Sequence, residues 1–237
     1  MENNSNHSNG PRTQGRKATE TDLKLFEQIE STLYTAVIAD ALDEIGFHEC
    51  AMREYLRPVS AQKRFAGWAR TVLCMDLHYT PDDPYGLEIE AIDSILPGEV
   101  VTVATGESKR NAPWGELLST AARARGSRGA VIDGLVRDVN TIQKLGYPVF
   151  ASGIKPVDSR GRGAVVDYNV PVWCGGILVT PGDLIVADYD GVVVVPVNVV
   201  DRVVDLATQK VTKENHSRAD LQSGAYLKDV YAKYGVL

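Results

Sequence analysis

Ala130-Val131-Ile132-Asp133-Gly134-Leu135-Val136-Arg137-Asp138, continued by residues 139–145, Gly146 and residues 148–151, decides the fold. An apolar run (130–133) passes through a glycine. A helix-length segment (139–145) ends at Gly146, and a second apolar run (148–151) starts at Pro148; the order is strand, helix, strand. This order puts Arg137 and Asp138 on the loop after the first strand's carboxyl end, where α/β proteins commonly keep their sites. One step upstream, residues 99–105 read as a strand of β-branched and apolar residues and 115–125 as a helix. The pattern is therefore α/β.

Outward from this unit, Leu23, Phe26, Ile29 and Leu33, then Val37, Ala41, Leu42 and Ile45, are spaced for amphipathic helices closed by Gly46, covering one side of a sheet. Residues 65–77 suggest a strand pair and 87–95 a short helix. Residues 163–196, dominated by Val, Ile and turn residues, suggest more sheet, and 198 to about 213 returns to helical spacing. A Pro-Gly turn followed by an acid launches a strand twice, at Pro97-Gly98-Glu99 and at Pro181-Gly182-Asp183. Asp188-Tyr189-Asp190-Gly191 fits a polar hairpin turn better than a metal loop. The expected organisation is a disordered tail over 1–18, with almost nothing to bury, and a single α/β domain over 19–237 ending in a helical segment.

Composition narrows the function. The chain has 237 residues and a net charge of −6, so it offers no general basic field for nucleic acid, and an anionic substrate would need a local cationic pocket. Three separated cysteines without a CxxC suggest neither a disulfide framework nor a zinc knuckle. They are expected to be reduced thiols in a cytoplasmic protein. No apolar run approaches the roughly 18–20 residues a membrane span needs. Neither GxGxxG nor GxxxxGK[ST] occurs, which weakens dinucleotide, methyl-donor and ATP-binding readings.

The chemistry concentrates in two pieces. In Trp114-Gly115-Glu116-Leu117-Leu118, a glycine precedes a helix. The free N–H groups of Glu116, Leu117 and Leu118 then form, with the helix dipole, a seat for a carboxylate. Arg137 and Asp138 add a cation and an acid beside it. Taken singly, Glu116 is an ordinary first-turn acid and Arg137-Asp138 an ordinary surface pair; the combination carries the reading. Trp114 reads as a lid over the substrate, as core or as subunit interface. Glu88, Glu90 and Asp93 form an acidic cluster that faces water or flanks substrate access. Arg123, Arg125 and Arg128 read as a solvated face, and no histidine has a partner at ligand spacing.

GELL, the twenty residues between its Glu116 and the arginine of GLVRD, LGYPVFASG, and PGDLIVADYDGVVVVP together resemble the family of 4-hydroxy-4-methyl-2-oxoglutarate aldolases, which also contains the regulator of ribonuclease activity A. The resemblance runs from about Val37 to Val195. It implies an α/β sandwich of the swivelling-domain type, with a central mixed sheet flanked by helices. It also implies a class II pyruvate aldolase that often decarboxylates oxaloacetate, with Mg2+ or Mn2+ holding the 2-oxo acid and stabilising its enolate. Carried over by position, Asp138 is the metal ligand, and Arg137 binds the ketone oxygen. The backbone of Gly115, Glu116, Leu117 and Leu118 holds the pyruvyl carboxylate, and Glu116 acts through water on metal or proton. The aspartate after the arginine is usually lacking in the family's non-catalytic, ribonuclease-regulating branch; here Asp138 is present. Homotrimers or hexamers with sites between subunits are implied too, with Glu214 of a neighbouring subunit a weak candidate to complete the site. Among Tyr79, Tyr85 and Lys155, nothing ranks which shapes the remainder of the substrate.

Overall fold

The computed structural model describes residues 14–59 and 64–236. In chain order the elements are α1 (Glu20–Thr32), α2 (Thr35–Glu44), β1 (Arg57–Pro58), β2 (Phe65–Asp76), α3 (Gly86–Asp93), β3 (Glu99–Ala104), α4 (Glu116–Ala124), β4 (Gly129–Val136), α5 (Val139–Leu145), β5 (Val149–Ile154), β6 (Gly163–Tyr168), β7 (Val172–Cys174), β8 (Ile177–Val179), β9 (Leu184–Asp188), β10 (Gly191–Val195), α6 (Val200–Gln222) and α7 (Leu227–Tyr234).

The anticipated βαβ step is present: β4 and β5 are parallel, with α5 between them. Strands β2 to β5 form a parallel core, β1, β6 and β9 join it antiparallel, and β10 pairs antiparallel with β9, giving a mixed sheet in the order β1-β5-β4-β3-β2-β9-β10 with β6 also on β2. Residues alternate between its faces. Val101 and Val103 pack with Ile132, Ile142 and Trp114 under α3, α4 and α5, while Val100 and Ala104 pack with Val131, Phe150, Ile185 and Val194 beneath the hairpins β7–β8 and β9–β10. A third cluster joins Phe26, Ile29, Leu33, Val37 and Leu42 to α6 and β9–β10, as the helical spacing of 23–45 predicts, although Leu23 itself is exposed.

Three expectations are corrected. Residues 65–77 form one 12-residue strand, not a pair. It stays continuous because two partners share one of its edges: β9 pairs Phe65 to Trp68, and β6 pairs Val72 to Asp76 across a bulge at Leu73/Cys74. The helix expected to end near 213 runs to Gln222. Its polar last turns are held by α7 folding back, with Lys233 and Tyr234 bonded to Asp220 and the Tyr234 ring stacked on His216. Residues 1–13 of the expected tail lie outside the described residues, but 14–18 pack on the body. The Arg16 guanidinium sits 3.5 Å over the Trp68 ring, Arg16 N–H donates to Glu99, and Ala18 N–H donates to Pro97 O. The Asp188–Gly191 turn closes the β9–β10 hairpin, and Asp188 accepts from Thr35 N–H and Oγ1 at the start of α2.

Candidate active site

Four loops that leave the carboxyl ends of parallel strands converge. The loop after β2 leads into α3 and brings Tyr85 and Glu88. The loop after β3 brings Trp114, Gly115 and Glu116; the loop after β4 brings Arg137 and Asp138; the loop after β5 brings Asp158. Together they line an open cavity of about 280 Å³. The convergence follows from the sheet, since a parallel core delivers all its crossover loops to one edge.

Within it the two predicted pieces meet. Trp114 bridges Val136 as a short parallel extension of the sheet, and Arg137 N–H donates to Trp114 O at 2.9 Å. That pins Gly115 against the Arg137-Asp138 turn. Asp138 takes the left-handed conformation (φ 60°, ψ 27°), uncommon for a residue with a side chain but accessible to Asp. The turn aims its carboxylate back at α4, where Glu116 N–H lies 3.4 Å from Asp138 Oδ2 and Arg137 Nε 3.6 Å from the same oxygen. A Cβ on Gly115 would come within 2.8 Å of Asp138 Oδ2 and 3.2 Å of Arg137 Cγ, so any side chain there would push the Asp138 carboxylate out of its place. Ser119 N–H is the first in α4 to return to a carbonyl, that of Gly115. The N–H groups of Glu116, Leu117 and Leu118 therefore precede the helical ladder, as the sequence implies. Glu116 itself accepts from Thr120 Oγ1 at 2.7 Å, and Leu117 is 77% exposed at the rim.

Two further residues shape the site: Asp158, which has no signal in the sequence motifs, and Glu88, the member of the acidic cluster that flanks the cavity. Asp158 Oδ1 lies 3.3 Å from Arg137 Nη2, while Asp158 Oδ2 accepts from Tyr85 Oη at 2.5 Å. Partial burial works against its charge, yet the Tyr85 hydroxyl and the Arg137 guanidinium hold its pKa below the ordinary value. The same bond to Asp158 raises the Tyr85 hydroxyl. Glu88 is half-buried rather than at the surface. Burial first, and the Asp158 charge second, push its carboxyl up to about 7 against the opposing pull of Arg137. Of the acidic cluster, only Glu90 and Asp93 face solvent. Trp114 is core, with its indole N–H bonded to Ser119 Oγ. Lys155 is tied to the carbonyls of Lys109 and Arg110, leaving Tyr85 as the cavity residue of the trio. Glu214 does not approach this site within the chain; it bonds Tyr34 Oη and raises that hydroxyl, burial contributing most, to about 12.

Among the described residues no three His, Cys, Asp or Glu side chains form a metal cage. The donors on the cavity are oxygens, with Asp138 and Glu116 on adjoining turns. That suits an ion such as Mg2+, which is held by one or two carboxylates and keeps its remaining positions for waters and substrate.

An α/β protein with its site at the carboxyl edge of a parallel core is the class so defined. A family model described as RraA-like (Aldolase/RraA) matches residues 35–194. A Halalkalibacterium halodurans protein named "Putative 4-hydroxy-4-methyl-2-oxoglutarate aldolase" is 32% identical over 180 residues, 76% of this chain and 80% of its own length. Among solved structures, Streptomyces coelicolor RraAS2 is described as an unusual member of the RNase ES inhibitor RraA protein family. It has a TM-score of 0.75 at 28% identity, covering 86% of this chain and 98% of its own. An uncharacterized protein from Pseudomonas syringae pv. tomato gives 0.77 at 27%, over 92% and 98%. The chain belongs to the RraA-like family.

Proposed function

We propose that this chain is a carbon–carbon lyase that acts on a 2-oxo acid ending in a pyruvyl group, with Mg2+ or Mn2+ as cofactor. Its reactions are retro-aldol cleavage of the 4-hydroxy-4-methyl-2-oxoglutarate type and decarboxylation of oxaloacetate. The observation that carries the reading is the convergence of Arg137, Asp138 and the first N–H groups of α4 on one cavity.

The α4 N–H groups bind the pyruvyl carboxylate and orient it, since they are pre-aligned and backed by the helix dipole. Arg137 meets the neighbouring ketone oxygen, and its permanent charge opposes the negative charge that collects there as the bond breaks, a preorganised stabilisation worth several kcal/mol. Asp158 fixes the guanidinium from the far side. Asp138 and Glu116 would hold the metal, Glu116 through water, and the bound ion supplies Lewis acidity at the 2-oxo acid. No Schiff-base lysine is required.

The test is pyruvate release from 4-hydroxy-4-methyl-2-oxoglutarate and from oxaloacetate, with Mg2+ or Mn2+ and with chelator. Chelator-sensitive pyruvate that is lost in Asp138→Ala supports the reading; full metal-dependent activity in that variant would end it. The similarity to RraAS2 favours a second reading, a non-catalytic regulator of an RNA-degrading enzyme. Retention of such enzymes at micromolar concentration by a chain that releases no pyruvate would establish that reading instead.

A further inference from the structure

Glu88 stands where three environments meet. It lines the cavity that holds Arg137 and Asp138, and it also lines a small apolar pocket floored by Val72, Cys74, Val103, Trp114 and Val165. Helix α3 presents it there from its first turn, behind Tyr85. Among the described residues its carboxyl makes no hydrogen bond or ion pair, although bonded carboxylates surround it: Asp158 to Tyr85 and Arg137, Glu116 to Thr120 and Asp138 to Glu116 N–H. A half-buried acid with one side against hydrocarbon and the other open to a polar cavity gains nothing for stability. It is the arrangement in which carboxyls keep a proton near neutrality.

We propose that Glu88 is the proton donor of this site, handing its proton to the methylene carbon of the pyruvate enolate after the carbon–carbon bond has broken. The proposal rests on the lyase reading above. In 4-hydroxy-4-methyl-2-oxoglutarate the C4 hydroxyl gives up its proton to solvent. The C3–C4 electron pair passes into the enolate at C3, C2 and the ketone oxygen, and C4 becomes the carbonyl of the first pyruvate. The Glu88 proton then completes the methyl group of the second pyruvate, and the carboxylate recovers a proton from solvent. Two pyruvates result, with no net proton change and no oxidant or reductant. When oxaloacetate is the substrate, carbon dioxide leaves in place of the first pyruvate and the same proton transfer follows. A donor with a pKa of about 7 suits a step that must both give and regain a proton at neutral pH. The charged and titratable groups facing Glu88 are Asp158, Arg137, Asp138, Glu116, Tyr85, and Cys74 and Asp76 from β2.

By microscopic reversibility the Glu88 carboxylate removes a proton from the methyl group of bound pyruvate. Loss of that proton is read by deuterium incorporation into pyruvate in D2O, with Mg2+ or Mn2+ present. In wild type, cleavage falls and exchange rises as increasing pH takes the proton from Glu88. Glu88→Gln is expected to lose 10²-fold or more of both and to show neither pH limb. It should bind oxalate, a planar enolate mimic, within twofold of wild type. Glu88→Asp should recover part of the exchange. Asp158→Asn, by removing the neighbouring negative charge, should move both limbs to lower pH. Exchange in Glu88→Gln within threefold of wild type would overturn the role of Glu88 while leaving the lyase standing. A wild-type chain that neither cleaves nor exchanges would remove the lyase reading and this role with it.

Discussion

At the residue scale, the site depends on two backbone conditions as much as on charge. Asp138 occupies a left-handed turn, and Gly115 leaves no room for a methyl group beside it. Gly115→Ala is expected to displace the Asp138 carboxylate and lower turnover at least tenfold. Its melting temperature should stay close to wild type, because the atoms that must give way belong to the half-exposed Asp138 side chain; kinetics and thermal melts on one preparation check this. Asp158→Asn releases one side of Arg137, and we expect kcat/KM to fall about 10²-fold, the usual cost of a small misplacement at a reacting centre. Arg137, Asp138 and Gly115 were legible in the sequence because a glycine-led helix start and a post-strand loop are local patterns. Asp158 was not, and Glu88 was legible only as one of an acidic cluster that faces water or flanks substrate access. Both arrive beyond strand ends that only the parallel sheet brings to the same edge, and burial, which sets Glu88 apart from Glu90 two residues away, has no signature in such a cluster.

At the element scale, the crossover units read correctly because each is continuous in sequence. The errors fell where an element is defined by distant partners: β2 is one strand because β9 and β6, more than 80 residues later, share its edge, and α6 is long because α7 returns to it. Helix α1 shows the opposite, a local device visible in its residues. Thr19 Oγ1 accepts from Asp22 N–H, and Asp22 Oδ2 accepts from Thr19 N–H, a reciprocal cap. Thr19→Ala should cost about 1 kcal/mol in urea unfolding. Activity should not change, since α1 packs on the side of β2 and α6, away from the cavity.

At the scale of the whole molecule, stability and pH are coupled through buried acids. Burial raises the pKa of Glu88, Glu99, Asp133 and Asp183. An acid whose folded pKa is raised leaves more protons on the native than on the unfolded chain, so stability is lost as pH rises. For Glu88 the window lies between the ordinary 4.5 and about 7. Glu88→Gln should therefore melt above wild type at pH 8, with the gap closing towards pH 4.5; equal melts at both ends would contradict its burial. Exposed Leu117, Trp173 and Leu178 mark apolar surface beside and behind the site. We propose that they are covered in a homotrimer or hexamer with sites between subunits, which light scattering tests: a monomer at micromolar concentration would exclude it.

The shared edge of β2 also dictates an order in time. The strand leaves the ribosome with β3 soon to follow on one side, but its other side stays bare until residues 163–188 have been made. At about 5–20 residues per second, that wait lasts roughly 5–20 seconds. Throughout it a nascent chain carries an unpaired, mostly apolar β-edge, so synthesis rate and chaperone supply, rather than final stability, are what should govern its yield in a cell.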